Sequence, residues 1–295
     1  MKKSKLIFLI TISLVLLFSL TGEKVSGQGV DIRAGSKQHP VYIGLNLGTD
    51  QTRIDNQVIK ALEGLISLKE ITFSAQAEMG IRLNKNFGLS AGLGYRTYSS
   101  GFLLLTYRDS LVNQKDQDND TYIRRISGKD ITETQKIGII SIPVRFNAEL
   151  PLNDIFGFFL QAGVNLSVPV NKKFSSTGMM TYAGYYPAYN IVITGVDHEG
   201  FAQNATSMSE GTLIVSSIIP EFATSAGFTV DLNEKIRLLA GISYTRVLTD
   251  ISGYSADDAF HLSVNKDEMN SLMAGSSKVT AQAVGLRLGF RYYLK

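Results

Sequence analysis

The stretch "RLNKNFGLSAGLGYRTY", residues 82–98, is two strand-like halves joined by a tight polar turn. After Asn84 to Asn86, Phe87, Leu89, Ala91, Leu93 and Tyr95 alternate with Gly88, Ser90, Gly92, Gly94 and Arg96. That period of two belongs to a β-strand with one apolar face. Upstream of the turn, Ile71, Phe73, Ala75, Ala77, Met79 and Ile81 alternate with Thr72, Ser74, Gln76, Glu78 and Gly80. The Leu83-Asn84-Lys85 phrase then returns as Leu152-Asn153-Asp154 and Leu232-Asn233-Glu234, each time between two alternating runs. A turn repeated at intervals of about 70 to 80 residues implies a repeated hairpin.

Further runs of the same period lie at 41–48, 140–150, 158–168, 222–230, 236–245 and 284–293. The total is eight strands of roughly 9 to 13 residues, an even number, each long enough to cross hydrocarbon at a tilt. The three Leu-Asn links are short. The other four, at about 49–70, 99–135, 171–211 and 250–278, are long. Short turns at one end and long loops at the other predict an all-β, eight-stranded, antiparallel up-and-down transmembrane β-barrel, with short periplasmic turns and long extracellular loops.

Volume decides which face is inside. An eight-stranded interior is barely wide enough to be filled by side chains, and about 40 mostly bulky residues on the apolar faces exceed it. The Gly, Ser, Arg, Glu and Gln of the opposite faces fit. Leu, Ile, Val and Phe are therefore expected to face lipid, with Tyr95, Tyr98, Tyr244, Tyr292, Phe87 and Phe158 as interfacial girdles in a chain without Trp.

The first 27 residues read as a cleaved secretory signal: Lys2, Lys3 and Lys5, then an apolar run over 6–20, then Val25-Ser26-Gly27. Residues 28–39 follow as a periplasmic N-terminal segment and 40–295 as the barrel domain. Removing 1–27 takes away a net +3, so the formal charge of +3 falls to zero and no bulk electrostatic case for nucleic acid remains. Cysteine is absent, which excludes disulfides and lipidation on Cys.

Four segments carry a resemblance: Gly-Leu-Ser-Ala-Gly-Leu-Gly-Tyr (88–95), Ile-Ser-Ile-Pro-Val-Arg-Phe (140–146), Phe-Leu-Gln-Ala-Gly-Val-Asn (159–165) and Gly-Leu-Arg-Leu-Gly-Phe-Arg-Tyr-Tyr (285–293). In these the chain resembles the small outer-membrane barrel proteins of Bacteroidota, the PorT-like or outer membrane protein beta-barrel domain group, akin in architecture to OmpA and OmpX. The resemblance implies residence in the outer membrane with both termini periplasmic. It also implies a structural or interaction role, as an anchor or an accessory subunit of a secretion or assembly complex.

The candidate residues fall into two sets. Glu78, Arg82, Arg96, Arg145, Glu149, Glu221, Arg237, Arg287 and Arg291 lie on inward faces, where they must pair or stay hydrated. They are expected to form a network that plugs the lumen, the alternative being a small porin-like channel with an Arg-rich lumen. Tyr182, Tyr185, Tyr186 and Tyr189 in the third long loop form a possible partner contact, since tyrosine gives amphipathic contact area at little entropic cost. A third reading, a rim-sited hydrolase acting on lipid or peptide, would draw on His198, within Asp197-His198-Glu199, or His261; His39 precedes the first strand. Asp116, Asp118 and Asp120 have calcium-loop spacing, but Thr121 stands where Gly is needed and Ser127 where Glu is needed. The expectation is a solvated acidic tip, no catalytic residue, no metal and no cofactor. In the first long loop Val58, Ile59, Leu62, Leu65 and Ile66 have helical spacing and predict a short helix over the rim. The expected partners are outer-membrane lipid and a protein met at the extracellular loops.

Overall fold

The computed structural model describes residues 41–58, 62–254 and 260–294. The expected signal at 1–27, the expected periplasmic segment at 28–39 with His39, and residue 40 lie outside these. Ten strands are described: β1 (Val41–Val58), β2 (Ile66–Arg82), β3 (Phe87–Lys115), β4 (Thr121–Pro151), β5 (Phe156–Tyr186), β6 (Ile191–Ile193), β7 (Ala205–Thr212), β8 (Ile219–Asp231), β9 (Ile236–Val247) and β10 (Ser276–Tyr293). Pairing is antiparallel throughout. It passes from β1 through β2, β3, β4 and β5 to β8, β9 and β10, and returns to β1, while β6 and β7 pair with the far half of β5. The sheet thus closes through eight strands, and the amide of Leu294 donates to the carbonyl of Val41 (2.9 Å) where its two ends meet.

The three Leu-Asn turns lie at that same end and share one construction. Asn84 Oδ1 accepts from the amides of Asn86 and Phe87 (both 2.8 Å). Asn153 Oδ1 accepts from Ile155 (2.9 Å) and Phe156 (2.7 Å), and Asn233 Oδ1 from Lys235 and Ile236 (both 2.9 Å). None of the three asparagines takes a positive φ. Asparagine is used for its carbonyl, which replaces a backbone acceptor across the turn, and not for left-handed geometry.

The apolar faces point outward. Ile71 is 77% exposed and Phe73 74%, and Leu45, Leu93, Ile142, Leu166, Phe228, Ile242 and Leu288 are all exposed in the same belt. A patch this continuous far exceeds what a water-soluble surface carries. Among the expected girdle residues, Tyr95 is exposed and Tyr98 is not: Tyr98 sits at an even position of β3, faces inward, and is 1% exposed with its hydroxyl on Glu221.

Two expectations are corrected. The links 99–135 and 171–211 are largely strand: β3 continues to Lys115 and β4 begins at Thr121, so that Asp116 to Asp120 turn the chain there, and β5 continues to Tyr186, with β6 and β7 following it. These strands of 29, 31 and 31 residues rise well beyond the belt. The expected rim helix is corrected at its two ends, for Val58 ends β1 and Ile66 begins β2, while Ile59 lies outside the described residues. Its apolar spacing has another cause: Leu62 is buried in a core under the outer end of the barrel.

That core is the second feature the closed sheet holds. Above the belt the inward face turns apolar, with Phe102, Leu104 and Tyr107 on β3, Ile126, Ile131, Ile137 and Ile139 on β4, and Met180 on β5. The β9–β10 connection folds in to meet them through Leu262, Met269, Leu272 and Met273. In water, burial of these side chains is favourable at roughly 1.5–3 kcal/mol each, so the outer half is stabilised as an ordinary protein interior is.

Candidate functional site

Within the belt the inward charges form two levels. At the turn end, Glu149 of β4 is clasped by Arg82 (3.2 Å), Arg237 and Arg291. Arg237 also pairs with Asp231, and Arg291 Nε stands 3.4 Å from Glu78. Arg82 lies 4.3 Å over the ring of Tyr293 and Arg291 4.4 Å over that of Tyr42. Charges, rings and their hydrogen bonds fill this end. Tyr42 can lie across the lumen because Gly80 faces it on β2, where any Cβ would overlap its ring.

One level up, Arg96 approaches Asp50 (3.5 Å), while Glu221 accepts from Tyr98, Asn165 (3.0 Å) and Ser167 (2.7 Å). Arg145 donates to the carbonyl of Val164 (3.4 Å) and Arg287 to Ser225 Oγ (3.3 Å). The nine inward charges read from the sequence are therefore divided: Glu149, Arg82, Arg237, Arg291 and Glu78 are brought together, whereas Arg145 and Arg287 are set apart from them.

Above the belt, the buried carboxylate of Glu133 has no counterpart among those candidates. Its Oε1 accepts from Gln135 Nε2 and Ser271 Oγ (both 2.7 Å), and its Oε2 from Ser176 Oγ (2.5 Å) and the amide of Leu272 (2.9 Å). Burial pushes its pKa above the ordinary value, against the pull of these donors. It joins β4 and β5 to the infolded β9–β10 connection. A second tie is His261, whose Nδ1 lies 2.6 Å from Asp109 Oδ2, the oxygen that also accepts from Tyr107 (2.8 Å). Tyr107 in turn accepts from the amide of Leu262 (2.9 Å). Only the alternation of Ile131, Glu133, Gln135, Ile137 and Ile139 hints at Glu133 in the sequence, and its donors are up to 139 residues away.

The tyrosine set splits by parity. Tyr182 and Tyr186 face inward with 0% and 6% exposure, and Tyr182 contacts Ser263 and the carbonyl of Asn265. Tyr185, stacked under Arg125 at 4.2 Å, and Tyr189, 60% exposed, remain on the outside. The four tyrosines therefore do not share one face. At the tip Tyr122 stacks on Tyr186 (centroids 5.4 Å) and meets Phe201 edge-on. The β3–β4 turn leans on this cluster: Asp116 Oδ1 accepts from the amides of Asp118 and Asp120, and its Oδ2 from Tyr186 (3.0 Å). Burial and that aspartate push the Tyr186 hydroxyl up to about 12. The spaced aspartates thus build a turn, and among the described residues no group of three or more His, Asp or Glu is arranged to hold a metal ion. His198 is 81% exposed in its side chain, 3.6 Å from Glu199.

A closed antiparallel sheet with an apolar outside, ionic inside and short turns at the end where the chain closes defines an outer-membrane β-barrel. Residues 28–253 match the family described as outer membrane protein beta-barrel domain, and the chain belongs to that family. No curated protein matches it. Solved structures of similar fold include OprG from Pseudomonas aeruginosa, at 12% identity and a TM-score of 0.42, covering 86% of this chain and 96% of that one. Neisserial surface protein A shows 9% identity and a TM-score of 0.37 over 86% and 97%. Ail, the attachment invasion locus protein of Yersinia pestis, shows 9% and 0.29 over 86% and 99%.

Proposed function

We propose that this protein is a structural or interaction component of the outer membrane, with its short turns and both chain ends in the periplasm, and that it works through the part of β3, β4 and β5 standing outside the lipid. The observation that carries this reading is the length of those strands. A tilted strand needs about 9–11 residues to cross hydrocarbon, so close to 20 residues of each are left for another purpose. β2 pairs with β3 no further than Leu103, and among the described residues the outer edge of β3 beyond it is bonded on one side only. Exposed Val112, Tyr189, Ile191 and Val192 lie near the tip. An open strand edge and, at the tip, exposed apolar and aromatic side chains suit strand addition by a partner protein.

A filled lumen supports anchoring over conduction, because the Glu149 cluster occupies one end and the apolar core the other. The test is gentle detergent extraction from cells carrying either the natural chain or the double variant Tyr189→Asp, Val192→Asp, followed by mass spectrometry. A protein that co-purifies in stoichiometric amount with the first and is lost with the second is expected. Consistent recovery of the natural protein alone would refute the subunit role.

A further inference from the structure

Between the two plugged ends lies a small cavity of about 40 Å³, lined by three arginines, Arg96, Arg145 and Arg287. The acidic side chain on its wall is Glu221, whose oxygens already receive Tyr98, Asn165 and Ser167. Asp50 stands against Arg96 from outside the wall of the cavity. Neither Arg145 nor Arg287 has a carboxylate within ion-pair distance among the described residues. Arginine does not escape this by losing its proton, so positive charge is in excess here.

The hydrogen-bond inventory points the same way. Arg96 Nη1, Arg287 Nη2 and Asn46 Nδ2 are buried, carry no partner, and belong to residues lining this one cavity. Each can only donate. A buried donor left unmet costs about 1–3 kcal/mol, and an uncompensated buried cation costs more. The unpaired acceptor on the wall, Asn165 Oδ1, suits a water accompanying the ligand. The space among the three arginines holds more than one water, which needs about 10–15 Å³, and suits a small anion.

We propose that this cavity is a binding site for one small inorganic anion of halide size, held by Arg96, Arg145 and Arg287 and sharing the cavity with water. The anion neutralises the centre of the barrel and acts as part of its interior. No conduction is required, since both ends are closed.

The full-length mature chain, refolded in detergent micelles and crystallised from sodium bromide, tests this directly. An anomalous bromide peak between the three guanidinium groups is expected. Bromide at the protein surface alone, with the cavity holding only water density, overturns the site. In solution, thermal unfolding is followed by circular dichroism in sodium chloride and in sodium isethionate at equal ionic strength. The natural chain is expected to unfold at a higher temperature in chloride, with an increment that saturates, and Arg287→Met is expected to lose that increment. Equal midpoints for the natural chain in the two salts refute the proposal. Should Arg287→Met fail to fold, the bromide position and the natural chain's salt comparison still decide.

Discussion

Replacing Glu133 by Ala should unfasten the infolded β9–β10 connection while leaving the barrel closed. Two of its four donors, the Ser176 and Ser271 hydroxyls, can rotate toward other acceptors. The Gln135 side-chain amide, fully buried, and the Leu272 backbone amide, held by its turn, both become buried donors without partners. At about 1–3 kcal/mol for each, the connection loses about 2–6 kcal/mol. Since each 1.4 kcal/mol is a factor of ten, a loss of about 3 kcal/mol speeds local opening roughly 100-fold. Hydrogen exchange at Met273 and Ala274, whose amides bond to Ser271, reads this opening, with the β1–β10 ladder as the internal reference. Glu133→Gln supplies the sign of the charge effect. Burial raises the folded pKa of Glu133 above its ordinary value near 4.5, so the folded protein holds this proton more tightly than the unfolded chain. The stability contributed by protonation is fully present below about 4.5 and is lost as pH rises through the folded pKa. The natural chain's advantage over the Gln variant should therefore shrink as pH rises across that window. Unchanged exchange at Met273 and Ala274 in a folded Glu133→Ala barrel, or an advantage that grows with pH, would refute the role assigned to this carboxylate.

Other expectations follow from the belt, the turns and the lower ion cluster. Glu149→Ala leaves Arg82 without a carboxylate and takes one of two from Arg237 and Arg291, and should cost about 3–5 kcal/mol in urea unfolding; a cost below 1 kcal/mol would mean that water and the remaining carboxylates already satisfy them. Ile142→Arg should destabilise the barrel in lipid by about 2–4 kcal/mol if it faces the bilayer, and equilibrium folding into vesicles that shows no loss would place this face elsewhere. Asn153→Ala removes two turn hydrogen bonds and should cost about 1 kcal/mol, with Asn153→Asp largely restoring the urea midpoint. Planar-bilayer recording of pure protein should show no steady unit conductance, and a reproducible single-channel step would contradict the closed lumen.

The belt and the lower lumen were legible because both obey one rule: in 41–47, 71–83 or 284–292 a strictly alternating strand has hydrocarbon on one side and the lumen on the other. The outer halves of β3 and β4 obey a different rule. There one face meets water and the other a protein core, and the pattern is broken by Leu103-Leu104-Leu105 and by a register shift at Lys129/Thr132, where Asp130 takes φ 51°. Polar runs such as Thr132-Glu133-Thr134-Gln135-Lys136 read as loop, although they are strand. The partners that complete that core, Leu262 to Met273, lie over 120 residues downstream in a segment with no period of its own. The lower charges could be assigned to the lumen by parity, but parity says nothing about their height along it. Glu149 gathering three arginines while Arg145 and Arg287 stand without a carboxylate is a matter of register between strands.

The seam between β1 and β10 sets the order of assembly. Ile43 pairs with Tyr292 and Leu47 with Leu288, contacts that span almost the whole barrel domain in sequence. Until β10 is in place, β1 presents an unbonded edge, and in hydrocarbon each such group is costly. A growing or truncated chain therefore has no smaller barrel to settle into. Its folding into a bilayer must be concerted, slow for its size and dependent on protection of the open edges until the last strand arrives.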